Sequence, residues 1–143
     1  MTSQRFEHHE LFDTLTRYYL LVDSFSDLDA LRMFFTDDAV WETYDHGSDQ
    51  ARMRFDPIDK FRLVAEEQGG LARSARLRHH ITGLSHTPSQ NGVRSRIKVL
   101  VTMQPDTNKP PSIQETAIIT CDWVRLRGDW KIARWRIDRD TVG

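Results

Sequence analysis

Two adjacent histidines, His79 and His80, lie in the stretch Leu77-Arg78-His79-His80-Ile81-Thr82-Gly83 near the middle of the chain. The stretch reads as the start of a β-strand, in which neighbouring side chains point to opposite faces. One imidazole therefore enters any sheltered interior that the strand lines, and the period of two does not say which. Histidine is the side chain whose ordinary titration falls near neutral pH, so the inward ring is a candidate general acid or base. A strand histidine is more often a satisfied core residue. The reading needs a partner for the ring.

Asp23 is the partner that the sequence offers. It ends a helical stretch, where a negative charge opposes the helix dipole, and Leu20, Leu21, Val22 and Phe25 surround it. Such a carboxylate is either a solvated cap or one held by a specific cation. An Asp–His pair meets the second case, because the carboxylate orients the ring and stabilises its protonated form. Tyr18 and Tyr19 precede Asp23 on the same helix, and Tyr44 stands beside Asp45. Tyrosines are usually core amphipaths, but in a cavity their hydroxyls could donate to a substrate oxygen that develops enolate or alkoxide charge. Trp41, Trp123, Trp130 and Trp135 read mostly as core, with one or two available as a flat wall for a ring-shaped ligand.

Other chemistries lack their residues. His8-His9 lies near the N-terminus and His46 in a loop, and no His-x-x-His or carboxylate pair has the spacing of helical metal ligands, so no metal is expected. There is no Gly-rich phosphate loop, nucleotide fingerprint or nucleophile elbow, and no cofactor is expected. The single Cys121 sits in an apolar run, which excludes a disulfide framework and reads as a small buried hydrophobe.

The elements that must position these residues come next. Leu11, Phe12, Leu15, Tyr18, Tyr19 and Val22 recur at steps of three and four, which predicts a helix over residues 7–22 with one buried stripe. Ser26 or Asp27 caps a second, shorter helix reaching Phe35, and Thr36-Asp37-Asp38 makes a turn. Residues 39–44 read as a short strand and 45–54 as a loop. Asp56-Pro57 starts a third helix that runs through Ile58, Phe61, Leu63 and Val64 and stops at Gly69-Gly70, with a linker over 71–76. Four strands follow, over 77–87, 93–104, 112–126 and 130–138, with turns at Pro88-Ser89-Gln90-Asn91-Gly92 and Arg127-Gly128-Asp129 and a loop holding three prolines between. Helices first and an antiparallel meander afterwards predict an α+β fold, a curved sheet folded over a helix layer, whose dry interior is a natural small-molecule site.

The whole chain of 143 residues reads as a single domain, 1–143, long enough to bury one core. A formal net charge of −1 gives no electrostatic case for nucleic acid or an anionic membrane. The N-terminus lacks a signal-like apolar core and no run approaches a membrane span, so a cytoplasmic location is expected.

Four local stretches, in this order, resemble the SnoaL-like branch of the NTF2-like superfamily, a cone-shaped fold of curved antiparallel sheet covered by about three N-terminal helices. They are Tyr18-Tyr19-Leu20-Leu21-Val22-Asp23 with Asp27-Leu28-Asp29-Ala30-Leu31, then Phe35-Thr36-Asp37-Asp38-Ala39-Val40-Trp41, then Arg78-His79-His80-Ile81-Thr82, and last Gly128-Asp129-Trp130-Lys131-Ile132-Ala133-Arg134. The group includes scytalone dehydratase, a bile-acid dehydratase, a dehydrochlorinase, polyketide cyclases and small subunits of ring-hydroxylating dioxygenases. The resemblance implies a cofactor-independent lyase or isomerase that dehydrates, isomerises or cyclises a small hydrophobic, polyketide-like or steroid-like cyclic substrate. Its Asp–His dyad falls on Asp23 and His79, and substrate contacts fall on Tyr18, Tyr44 and Trp41, with His80 and Trp135 as further candidates. The family's last-strand arginine falls near Trp135, between Arg134 and Arg136. The resemblance also implies a homo-oligomer, dimer or trimer. Its rivals are a non-catalytic assembly subunit beside a separate catalytic chain, and a ligand carrier or sensor using the same pocket without turnover.

Overall fold

The computed structural model describes residues 6–24, 27–58 and 76–140. Helix α1, His8–Ser24, turns most of the expected stripe inward: Leu11, Leu15, Tyr18 and Tyr19 are buried together with Thr14, whereas Phe12 is exposed. Helix α2, Leu28–Arg32, is capped by Asp27, whose carboxylate accepts from the Ala30 N–H at 2.9 Å. It stops short of the expected end because Arg32 folds back to donate to the carbonyls of Phe35 and Thr36, both at 3.2 Å. Residues 36–38, read as a turn, instead lie in strand β1, Phe35–Asp45. Their turn chemistry survives as a bulge: the register with the last strand jumps between Phe35 and Val40.

The stretch expected as loop contains strand β2, Met53–Phe55, which pairs with β1 through Trp41↔Phe55 and Thr43↔Met53. Three residues on an edge are too few to show a period. The Asp56-Pro57 peptide is cis and Ile58 is buried. The rest of the expected third helix and the linker over 71–75 lie outside the described residues.

Strands β3 (Arg76–Pro88), β4 (Val93–Gln104), β5 (Ser112–Leu126) and β6 (Asp129–Arg139) follow the expected bounds closely. The sheet runs β2-β1-β6-β5-β4-β3, and all neighbours are antiparallel except β1 and β6, which are parallel. The last strand thus lies between the first strand and the meander, a topology the antiparallel reading did not include. The β5–β6 turn places Arg127 and Gly128 at φ of 53° and 85°, the left-handed pair of a tight hairpin. Gly92 closes the β3–β4 turn where no side chain fits, since a Cβ there would lie 2.0 Å from the Trp123 carbonyl oxygen.

Trp123, Trp135, Leu11, Leu15, Ile97 and Ile132 fill the space between α1 and the concave face of the sheet. Burying each such side chain contributes about 1.5–3 kcal/mol. One irregularity matters for the site. The β3–β4 register shifts between Ile81 and Gly83, so His79 and Ile81 face inward before the bulge, and Leu84 and His86 after it.

Candidate functional site

A cavity of about 360 Å³ opens between α1 and the concave face of the sheet. Its waist is apolar, built from Val99, Ala117, Ile119 and Ile137 with the rings of Trp41 and Trp135. Its polar groups come from Tyr18, Tyr19 and His79 on one side, and from Thr43, Arg52, Gln114, Glu115 and Arg139 elsewhere on the wall.

Asp23 lies in the last turn of α1 and meets β3 at His79. The Asp23 carboxylate is 2.5 Å from His79 Nδ1, and both of its oxygens accept from the His79 backbone N–H at 3.2 Å. One carboxylate therefore fixes the ring and the strand that carries it. An ionised carboxylate only accepts hydrogen bonds, so Nδ1 carries the hydrogen and the neutral ring keeps its lone pair on Nε2. The pair is largely withdrawn from water, with side chains 12 % (Asp23) and 21 % (His79) exposed, which strengthens their interaction. Of the apolar residues expected around Asp23, Val22 lines the cavity, whereas Leu20 is 64 % exposed and Phe25 lies outside the described residues.

Tyr19 stacks on the His79 ring, with centroids 4.9 Å apart and planes 17° from parallel. Tyr18 packs against Trp135 at 4.9 Å, and edge-on against Phe34 and Phe35. Burial pushes the phenols of both tyrosines far above their usual range, so each remains a hydrogen-bond donor. Burial likewise pushes up the thiol of Cys121, which leaves it inert.

The remaining sequence candidates divide by face. Trp41 and Trp135 line the cavity, and Trp41 packs against Phe55 at 5.4 Å. Tyr44 does not reach the cavity. It shares the outer face of β1 with the buried Glu42, to which it donates at 3.1 Å, and Arg136 covers its ring at 3.9 Å. His80 is likewise on the outer side of β3, exposed and bonded to Thr102 Oγ1 at 2.9 Å. Period two separates Tyr44 from Thr43 and His80 from His79, so both substrate-contact assignments are corrected. Arg134 and Arg136 point outward as well, to Glu42 and Asp138. The arginine of the last strand that faces the cavity is Arg139, held by Glu115 at 2.6 Å and Asp45 at 3.2 Å. Sequence reading missed it together with Thr43. The signal was the inward parity set by Trp41 and Trp135. Among the described residues, no cluster of three or more His, Cys, Asp or Glu side chains could hold a metal ion, and no helix is long and apolar enough to cross a membrane.

Comparison with known proteins agrees with this architecture. The family described as SnoaL-like domain matches residues 7–136. The fold is similar to that of ActVI-ORFA from Streptomyces coelicolor, at 16 % identity and a TM-score of 0.80 over 94 % of this chain and 98 % of that one. Aln2 from another Streptomyces strain is similar at 16 % identity and a TM-score of 0.78, over 92 % and 89 % of the two chains. The β subunit of benzoate 1,2-dioxygenase from Burkholderia mallei is similar at 13 % identity and 0.78, over 96 % and 93 %. At such identities these likenesses establish the fold. No curated protein sequence matches the chain.

Proposed function

The chain belongs to the SnoaL-like domain family, and on that premise we propose that it is a cofactor-independent enzyme that moves a proton on a small cyclic, oxygenated, largely apolar substrate. The observation that carries the reading is the 2.5 Å contact between Asp23 and His79 Nδ1 at the wall of the cavity. It leaves Nε2 as the basic nitrogen available to a ligand. His79 takes a proton from carbon next to an activating group, and Asp23 stabilises the imidazolium that results. Elimination, isomerisation or ring closure follows according to what the substrate carries. Tyr18 and Tyr19 donate to the oxygen on which charge collects, while Trp41 and Trp135 wall the ring.

The likeness to a dioxygenase β subunit favours a second reading, an assembly subunit in which the Asp23–His79 contact only fixes α1 on β3. The two part on whether Nε2 does chemistry. A generic test is the ring opening of 5-nitrobenzisoxazole, in which loss of the ring C–H proton to a base breaks the N–O bond and releases a coloured cyanonitrophenolate. The chain should accelerate this over buffer, and Asp23→Asn or His79→Ala should each remove about 10²–10⁴-fold of the effect while the fold persists. No acceleration, or full rates in both variants, sinks the proposal.

A further inference from the structure

Among the described residues, the buried side-chain polar atoms without a hydrogen-bond partner are Tyr19 Oη, Thr43 Oγ1, His86 Nε2 and Arg125 Nε. Tyr19 and Thr43 both line the cavity. A buried hydroxyl left unpaired costs about 1–3 kcal/mol, and native proteins rarely tolerate one without a reason. Two in one cavity, on different walls, have a common reason: each awaits an atom of a ligand.

We infer that the cavity takes a ligand with oxygen functions at two ends, one answered by Tyr19 beside His79, the other by Thr43 in the neutral ion-paired pole that contains Arg139. This rests on the ligand-site reading proposed above and adds the spacing and charge of what binds. Thr43 is 4 % exposed and faces inward on β1, opposite Ile137 on one side and Met53 on the other. A valine would fill the same space, so packing alone does not call for the hydroxyl.

The surroundings set the second oxygen's charge. Arg139 lies two residues beyond Ile137 on the same face of β6, ion-paired with Glu115 and Asp45, and Arg52 bonds Asp45 at 3.4 Å. Two guanidinium groups thus balance two carboxylates. A carboxylate ligand would have to displace one of those partners, whereas a neutral carbonyl or hydroxyl needs only the donor that Thr43 already holds out. The spacing follows from the sheet. Tyr19 is 6.0 Å from Trp135 between ring centroids, Ile137 is the next inward residue on β6, and Thr43 is one strand over. Tyr19 and Thr43 are thus separated along the sheet by the Trp135–Ile137 step and one strand, so a ligand answers them with two different oxygens.

Calorimetric titration of the chain with naphthalene-2,6-diol, 2-naphthol and 6-hydroxy-2-naphthoic acid tests the inference without requiring turnover. The diol should bind about 3- to 10-fold more tightly than 2-naphthol, the worth of one hydrogen bond, and more tightly than the acid. Thr43→Val should abolish the diol's preference, leave 2-naphthol within about 2-fold, and hold or raise the melting temperature, because it deletes an unpaired hydroxyl. A preference that survives Thr43→Val, or an acid that outbinds the diol, overturns the inference. Equal binding of both naphthols also overturns it but leaves the proton-transfer reading standing. A diol preference without ring opening of 5-nitrobenzisoxazole does the reverse.

Discussion

Strand β3 carries two histidines that face the interior, and their surroundings differ. His79 Nδ1 meets the Asp23 carboxylate at 2.5 Å, and the ring lies on Tyr19 at the wall of the cavity. His86 Nδ1 meets the Ser95 hydroxyl at 2.6 Å, and that oxygen also accepts from Trp123 Nε1 at 2.9 Å. In front of His86 stand other side chains, with the Phe6 ring 6.0 Å away and the His8 ring 4.7 Å away. Its Nε2 is buried without a partner among the described residues. The ring and the strand are common to both. A candidate base is made by the charge behind the ring and the open volume in front of it, and only His79 has both.

The largest test of that contrast deletes the same half of each ring. Asparagine keeps a polar atom where Nδ1 stood and removes Nε2. His79→Asn can still bond Asp23, so the fold should hold while ring opening of 5-nitrobenzisoxazole falls about 10²–10⁴-fold. His86→Asn should change that rate less than about 2-fold and instead lower stability by roughly 1–2 kcal/mol, through the space it leaves beside Phe6 and His8. Equal rate losses at the two positions would erase the distinction between them.

The next effect separates the hydroxyls beside each ring. Tyr19→Phe removes a donor that has no partner in the unliganded chain, so kcat should fall by roughly 10² while the melting temperature stays or rises. Ser95→Ala should do the opposite. It strands the Trp123 N–H and the His86 ring in the interior, costing about 1–3 kcal/mol with little effect on rate. Rate assays and thermal melts on the same two variants check both signs. A Tyr19→Phe chain that melts lower at full rate would make that phenol a structural group.

How far the sequence carried this contrast follows from parity. The helix stripe ending at Asp23, the turn at Gly92 and the bounds of β4 were all legible, and with them the expectation that Asp23 could meet an imidazole. The choice of His79 over His80 came from family resemblance, since period two offers both. What period two could not show was the β3 bulge after Ile81, which turns His86 inward although it is seven residues from His79, a spacing that should reverse its face. Tyr44 failed for the converse reason: Trp41 marked its strand as cavity-facing, and Tyr44 is an odd step away, on the face of Glu42. Thr43 and Arg139 share the inward parity of Trp41 and Trp135, but a threonine in a strand and an arginine near a terminus suggest no chemistry until the pairing of β1 with β6 brings them together.

The smallest effect is a pH dependence that belongs to His86. Burial, and next the charge of His8, lower its pKa from the ordinary 6.5. The unfolded chain therefore binds more protons than the folded one in the window just below pH 6.5, and stability falls as the pH drops through that window toward the lowered value. Above the window both states are neutral at this position, and the contribution is constant. His86→Asn has no ring to titrate, so its deficit in melting temperature relative to wild type should be widest near about pH 7.5 and should narrow toward about pH 5. Ser95, which holds Nδ1 as a neutral partner, gives a protonated His86 no charge to pair with, and His8 on α1 repels it. A deficit that stays constant across that range would mean that the folded chain protonates His86 as readily as the unfolded one does, and the contrast with His79 would then rest on the open volume in front of the ring alone.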